Sequence, residues 1–214
     1  PGALWRLAEL YYEKAEVDFS AAEDAYEKEL NAYNNGESKQ EPIPPERHFE
    51  RTVALLQRLT RDFPSYRLID GAYYLLAYCL QEQGESEQAQ QSYLELVQRF
   101  PKSKLMPEVW TRLGESYFED PDKLDKAIEA YSKVLEYPDS AMYDKALYKL
   151  AWTYYKVDDY PHAVDRFDQL IVWADKGQAD GEAGGKPSAG RSELRKEALQ
   201  YLAICFAEEE WPGS

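Results

Sequence analysis

A chain of 214 residues with 44% hydrophobic and 14% aromatic side chains holds enough apolar material for a buried core, despite a mean hydropathy of −0.69. Its 40 acidic residues against 25 basic ones leave a formal net charge of −15, a surface that repels phosphate backbones and argues against nucleic acid as a partner. No apolar run approaches the roughly 18 residues a membrane span needs, and the two cysteines, Cys79 and Cys205, stand too far apart in sequence for a CxxC site and are too few for a zinc cluster.

The first predicted element is one long helix. Residues 3–33 contain neither Gly nor Pro, and Tyr12, Ala15, Phe19, Ala22, Tyr26, Leu30 and Tyr33 recur at helical spacing. About 31 residues at 1.5 Å each give roughly 46 Å, so its second half projects past its neighbours. That projection reads either as a packing extension that caps the array or as a docking arm. Residues 34–45, with Asn34-Asn35-Gly36 and three prolines, predict an inserted loop. A second helix follows over about residues 46–62 and stops at Phe63-Pro64. Residues 1–64 therefore form a first, extended unit.

Residues 65–176 repeat themselves. Leu76-Ala77, Leu113-Gly114 and Leu150-Ala151 stand 37 residues apart, twice in succession. Ala89 and Tyr93 are echoed by Ala127 and Tyr131, then by Ala163 and Phe167, and Pro101 by Pro138. Each copy predicts a helical hairpin: a small residue in the first helix lets the second approach, and proline after the second forces a turn. Residues 177–192 are rich in Gly, Ala and Ser and predict a flexible loop. Residues 193–214, anchored on Leu202-Ala203 and Phe206, predict the first helix of a further, truncated unit. The chain opens at Pro1 without Met and stops at Pro212-Gly213-Ser214, which reads as a piece of something longer whose targeting signal lies outside it.

The pattern Trp110-x2-Leu113-Gly114-x2-Tyr117, followed by Ala127, Tyr131 and Pro138, resembles the tetratricopeptide repeat. The resemblance extends over about 160 of the 214 residues. It implies an all-α, right-handed solenoid of antiparallel helix pairs whose first helices line a concave face. It further implies a non-catalytic scaffold for protein or peptide segments within a multiprotein complex. Carried over from the family, the groove positions give Trp5, Arg6, Glu9 and Tyr12 in the first unit and Tyr74, Leu75, Tyr78 and Gln81 in the next. Thr111, Arg112, Glu115 and Phe118 follow, then Lys145, Tyr148, Lys149, Trp152, Tyr155 and Lys156, then Tyr201. The binding set proposed from this is Trp5, Tyr12, Tyr74, Tyr78, Arg112, Phe118, Lys145, Tyr148, Lys149, Trp152, Tyr155 and Lys156. It is aromatic with a lysine-rich corner, and aromatics are common interface anchors. Half of these aromatics can equally pack against second helices or one another. The asparagines of the family's carboxylate clamp are missing, which disfavours that mode.

Catalytic and cofactor readings find no support. His48 and His162 have no second His or Cys at metal spacing, and no phosphate loop or nucleophile elbow is present. No cofactor or metal is expected. Phe100-Pro101-Lys102-Ser103, with Phe63-Pro64-Ser65-Tyr66 before it, is similar to the F/Y-P-x-S turn of bacterial envelope repeat proteins such as outer-membrane assembly lipoproteins and the Tol–Pal coordinator. ALYKLAWTYYK at 146–156 is similar to repeats of deltaproteobacterial envelope and gliding-motility machinery. These resemblances imply the periplasm or envelope, with the cytoplasm as alternative. A second functional reading is a structural spacer that makes contacts through its long first helix or array ends.

Overall fold

The computed structural model describes residues 1–181 and 189–208, and every regular element among them is helical. In chain order these are α1 (Gly2–Asn34), α2 (Glu50–Asp62), α3 (Ile69–Glu82), α4 (Ser86–Arg99), α5 (Met106–Phe118), α6 (Leu124–Val134), α7 (Tyr143–Lys156), α8 (Tyr160–Gly181) and α9 (Ala189–Glu208), with a 3₁₀ turn at Pro121–Lys123 between α5 and α6. The helices fall into two compact units, Pro1–Leu105 and Met106–Ser214.

In the first unit α1 packs on α2, α2 on α3 and α3 on α4. Ala8 and Ala15 are the buried residues of α1, which lets Phe49 reach the Cys79 wall of α3. Ala77 plays the close-approach role against α4, where Tyr93 and Leu96 are buried. α3 stops because Gly84 takes φ +80°, which brings the Glu85 N–H to the Leu80 carbonyl at 2.9 Å. In the second unit the same logic pairs α5 with α6, α7 with α8, and α8 with α9. Here Leu113, Tyr131, Leu150 and Phe167 form fully buried rows. Two threonines inside this core, Thr111 and Thr153, satisfy their hydroxyls on the carbonyls four residues back, Pro107 and Lys149.

α7 ends with the α3 geometry but without a glycine. Asp158 holds φ +58°, and the Asp159 N–H reaches the Tyr154 carbonyl at 2.9 Å. A side chain costs free energy in that left-handed region. Asp158→Gly should therefore raise unfolding stability by about 0.5 kcal/mol, net of the lost Tyr160 hydroxyl bond to Asp158; thermal unfolding followed by circular dichroism measures it.

The structure corrects two expectations. The second helix begins at Glu50 rather than near 46, because Arg47 and Phe49 turn inward to partners on other helices before the helix starts. The loop expected over 177–192 is shorter: 177–181 continue α8 and 189–192 open α9, while 182–188 lie outside the described residues, as do 209–214 of the truncated unit. The reason is a missing turn. α2, α4 and α6 each stop close before an aromatic-proline pair (Phe63-Pro64, Phe100-Pro101, Tyr137-Pro138), whereas the corresponding place in α8 holds Ala174-Asp175, which continues a helix without penalty. α8 accordingly runs 22 residues against 14 in α4.

Candidate functional site

The turns between hairpins share one construction. The carbonyls of Phe63, Phe100 and Tyr137 accept the N–H three residues on, from Tyr66, Ser103 and Ser140. Ser103 and Ser140 then close a second, tighter turn just before the next helix, their Oγ atoms accepting the Leu105 and Met142 N–H at 3.2 and 3.1 Å. The third turn, Tyr137-Pro138-Asp139-Ser140, carries the same signature in the sequence and was readable there.

In the first unit the predicted binding residues are half-buried and sit at helix junctions. The Trp5 ring lies over α3, 3.6 Å from where a Cβ on Gly71 would stand. Tyr12 stacks on Phe49 at 5.4 Å and meets Tyr78 edge-on at 6.1 Å, and Tyr74 tilts against Tyr93 at 6.0 Å. Burial, then the nearby Glu16 carboxylate, pushes the Tyr12 hydroxyl up to about 12. These side chains join α1, α3 and α4 with part of their surface and leave the remainder exposed.

The second unit gathers the richer set, on the face shared by α5, α7 and α9. Trp152 of α7 meets Tyr155 at 5.5 Å and Tyr201 of α9 at 4.2 Å, both edge-on. Tyr148 stands edge-on to Trp152 at 6.3 Å and to Phe167 at 6.4 Å. Burial and the Glu197 carboxylate, which accepts its hydroxyl, push Tyr148 up to about 12. Phe118, at the end of α5, lies under two lysines, with Lys156 Nζ 4.2 Å and Lys149 Nζ 5.0 Å from its ring centroid. Lys156 Nζ is also 3.4 Å from the Phe118 carbonyl. Lys145 pairs with Glu115 at 2.5 Å, and Arg112 lies 3.8 Å from the same carboxylate.

The lysine corner is thus engaged within the unit: Glu115 and the Phe118 ring take up Lys145, Lys149 and Lys156. Glu197 and Tyr201 were harder to foresee as partners, since their register on α9 depends on a connection with no repeat spacing. What remains open is a strip of half-exposed Phe118, Trp152, Tyr155 and Tyr201 with lysine side chains along it. It suits an extended or helical peptide, because aromatic flanks bury area and lysines offer polar handles.

Other chemistry is sparse among the described residues. No group of three His, Cys, Asp or Glu is placed to hold a metal ion, and no helix is long and apolar enough to cross a membrane. His162 is exposed, stacked on Tyr154 at 5.1 Å with Nδ1 2.8 Å from Asp159; His48 is exposed beside Glu50. Cys79 and Cys205 are free and buried. Burial, with Glu16 and Glu82 nearby, pushes the Cys79 thiol up to about 12, and burial raises Cys205. Both should resist iodoacetamide at pH 8 in the native protein and react fully in guanidinium, as intact-mass measurement would show.

The tetratricopeptide-repeat family model matches residues 71–103, 108–140 and 145–172, the segments that fold as α3–α4, α5–α6 and α7–α8. Three consecutive segments of the chain are thus similar to tetratricopeptide repeats. No curated protein matches it. Similar solved structures include a tetratricopeptide repeat protein from Parabacteroides merdae ATCC 43184, 18% identical over 90% of this chain and 69% of that one, with a TM-score of 0.50. Another is the MamA protein, 18% identical over 92% of this chain and 97% of that one, also with a TM-score of 0.50. At these identities the likeness speaks for the fold: an all-α, tetratricopeptide-type array of helix pairs.

Proposed function

We propose that this chain is a non-catalytic scaffold that holds a segment of a partner protein along the α5–α7–α9 face of its second unit. The observation that carries the reading is the strip formed by Phe118, Trp152, Tyr155 and Tyr201, half-exposed on helices that are already fixed by packing. A rigid aromatic surface loses little entropy on binding, so its area converts efficiently into affinity. The repeat fold supports the same reading, since one face of stacked first helices is the surface such arrays offer.

Trp152 and Tyr148 also hold α9, so replacing them confounds binding with packing. Phe118 and Tyr155 separate the two better. Phe118→Ala with Tyr155→Ala should weaken affinity for a purified partner by at least tenfold, about 1.4 kcal/mol, with helical content retained. Unchanged affinity in that variant would refute the groove.

The aromatic-Pro-x-Ser turns support a setting in a bacterial envelope complex, the periplasm included; fractionation of cells producing the tagged parent protein tests that location. A spacer role draws on a different observation. The outer face of α1 leaves Leu7, Leu10 and Val17 exposed, Val17 by 68%, and Ile43 in the following loop by 85%. Under that reading Val17→Glu with Ile43→Glu would abolish assembly while the Phe118/Tyr155 variant would not.

A further inference from the structure

We propose a second docking site, on the turn edge of the first unit, that takes a short acidic peptide segment. This goes beyond the aromatic face described above and does not depend on it. The turns at 63–68 and 100–105 lie side by side and enclose one open cleft, floored by Tyr66, Phe100 and the prolines Pro64 and Pro101. Arg67, Arg99 and Lys102 line it, and Lys104 stands exposed two residues along.

The charges here are unlike those of the rest of the chain. Among the described residues Arg67, Lys102 and Lys104 are exposed and enter no hydrogen bond or ion pair. Arg99 is held in place by the Tyr73 hydroxyl, with Glu95 3.8 Å away. The one acid in the lining, Asp70, is occupied: it accepts the Ser103 hydroxyl at 2.7 Å and the Gly71 N–H at 2.9 Å. The basic character is not a property of the turn itself. The homologous turn at 135–142 has Glu136 and Asp139 and no Lys or Arg. On a chain of net charge −15, uncompensated cations gathered over an aromatic floor complement a short acidic segment. A long polyphosphate would run from the cleft onto acidic surface, which favours a peptide over nucleic acid.

The test is fluorescence anisotropy with a fluorescein-labelled Glu/Asp decapeptide bearing one central Phe, titrated with the whole chain at 50 and 300 mM NaCl. Saturable binding is expected at 50 mM, weakened about tenfold at 300 mM. Arg67→Glu/Lys102→Glu/Lys104→Glu should weaken it at least tenfold, and the milder Gln triple should follow if charge reversal disturbs folding. Lys28→Glu/Lys39→Glu should bind as the native chain does, and so should the Phe118→Ala/Tyr155→Ala variant, which separates this site from the one on the second unit. The proposal is overturned by absence of saturable binding at 50 mM, by native affinity in the folded triple variants, by equal affinity for the Gln/Asn analogue peptide, or by tighter binding of a 20-base-pair DNA.

Discussion

Gly114→Ala should destabilise the protein by about 1–3 kcal/mol, the reverse of what helix propensity alone dictates. Alanine in a helix interior is favoured over glycine by about 1 kcal/mol. Here, however, a Cβ on Gly114 would stand 2.5 Å from Tyr131 Cε1, 2.7 Å from Cδ1 and 2.9 Å from Cζ. Tyr131 is fully buried, so its ring has no space to swing into. α5 and α6 must separate, and overpacking of this kind costs more than the propensity gain. The melting temperature should fall by roughly 3–10 °C. Tyr131→Leu removes the obstructing ring edge, so the double variant should lose less than the sum of the single changes. A rise in melting temperature for Gly114→Ala would show that the two helices are not in contact at this point.

Arg47→Ala should cost a further 1–3 kcal/mol, roughly, through the other unit. Arg47 precedes α2 yet reaches two other helices. Its Nη1 is 2.8 Å from Glu82 of α3, its Nε is 3.4 Å from Glu16 of α1, and its guanidinium lies 4.0 Å from the centroid of the Phe19 ring. The Glu16 contact is too poorly aligned to be a hydrogen bond. All three charged side chains are about a quarter to a third exposed, so the cost stays below that of a fully buried pair. Removing the cation leaves two half-buried carboxylates facing each other and strips the Phe19 ring of its cover. Limited proteolysis should then cut α1 near Phe19 first. Arg47→Lys should lie between the two, since it keeps the charge and loses the planar fork. Equal stability of Arg47→Ala and the native chain would reduce the network to a surface feature.

The repeating hairpins were legible because their physics is local: a small residue such as Ala77 or Gly114, an aromatic such as Tyr93 or Tyr131, and a turn-forming proline recur at fixed spacing. The length of α1 was legible from the absence of Gly and Pro. The length of α8 was legible too, but only through what is missing at Ala174-Asp175. Pairings across helices are of another kind. Nothing near Arg47 in sequence announces Glu82, 35 residues away, and nothing near Lys145 announces Glu115. The aromatic strip could be placed on the right helix faces from repeat register, but the share of Trp152 given to Tyr201, and of Lys149 and Lys156 to Phe118, depends on how closely neighbouring helices approach.

Whether the α5–α7–α9 face holds a partner is read out by site-specific photo-crosslinking in the parent protein. A photoreactive phenylalanine analogue is placed in turn at Phe118, Tyr155, Val172 and Leu94, the last two being exposed positions on α8 and α4. A shared adduct is expected from Phe118 and Tyr155 and none from Val172 or Leu94, with the adduct mapping to one segment of one partner. Adducts from Val172 or Leu94 alone, with Phe118 and Tyr155 silent, would contradict it.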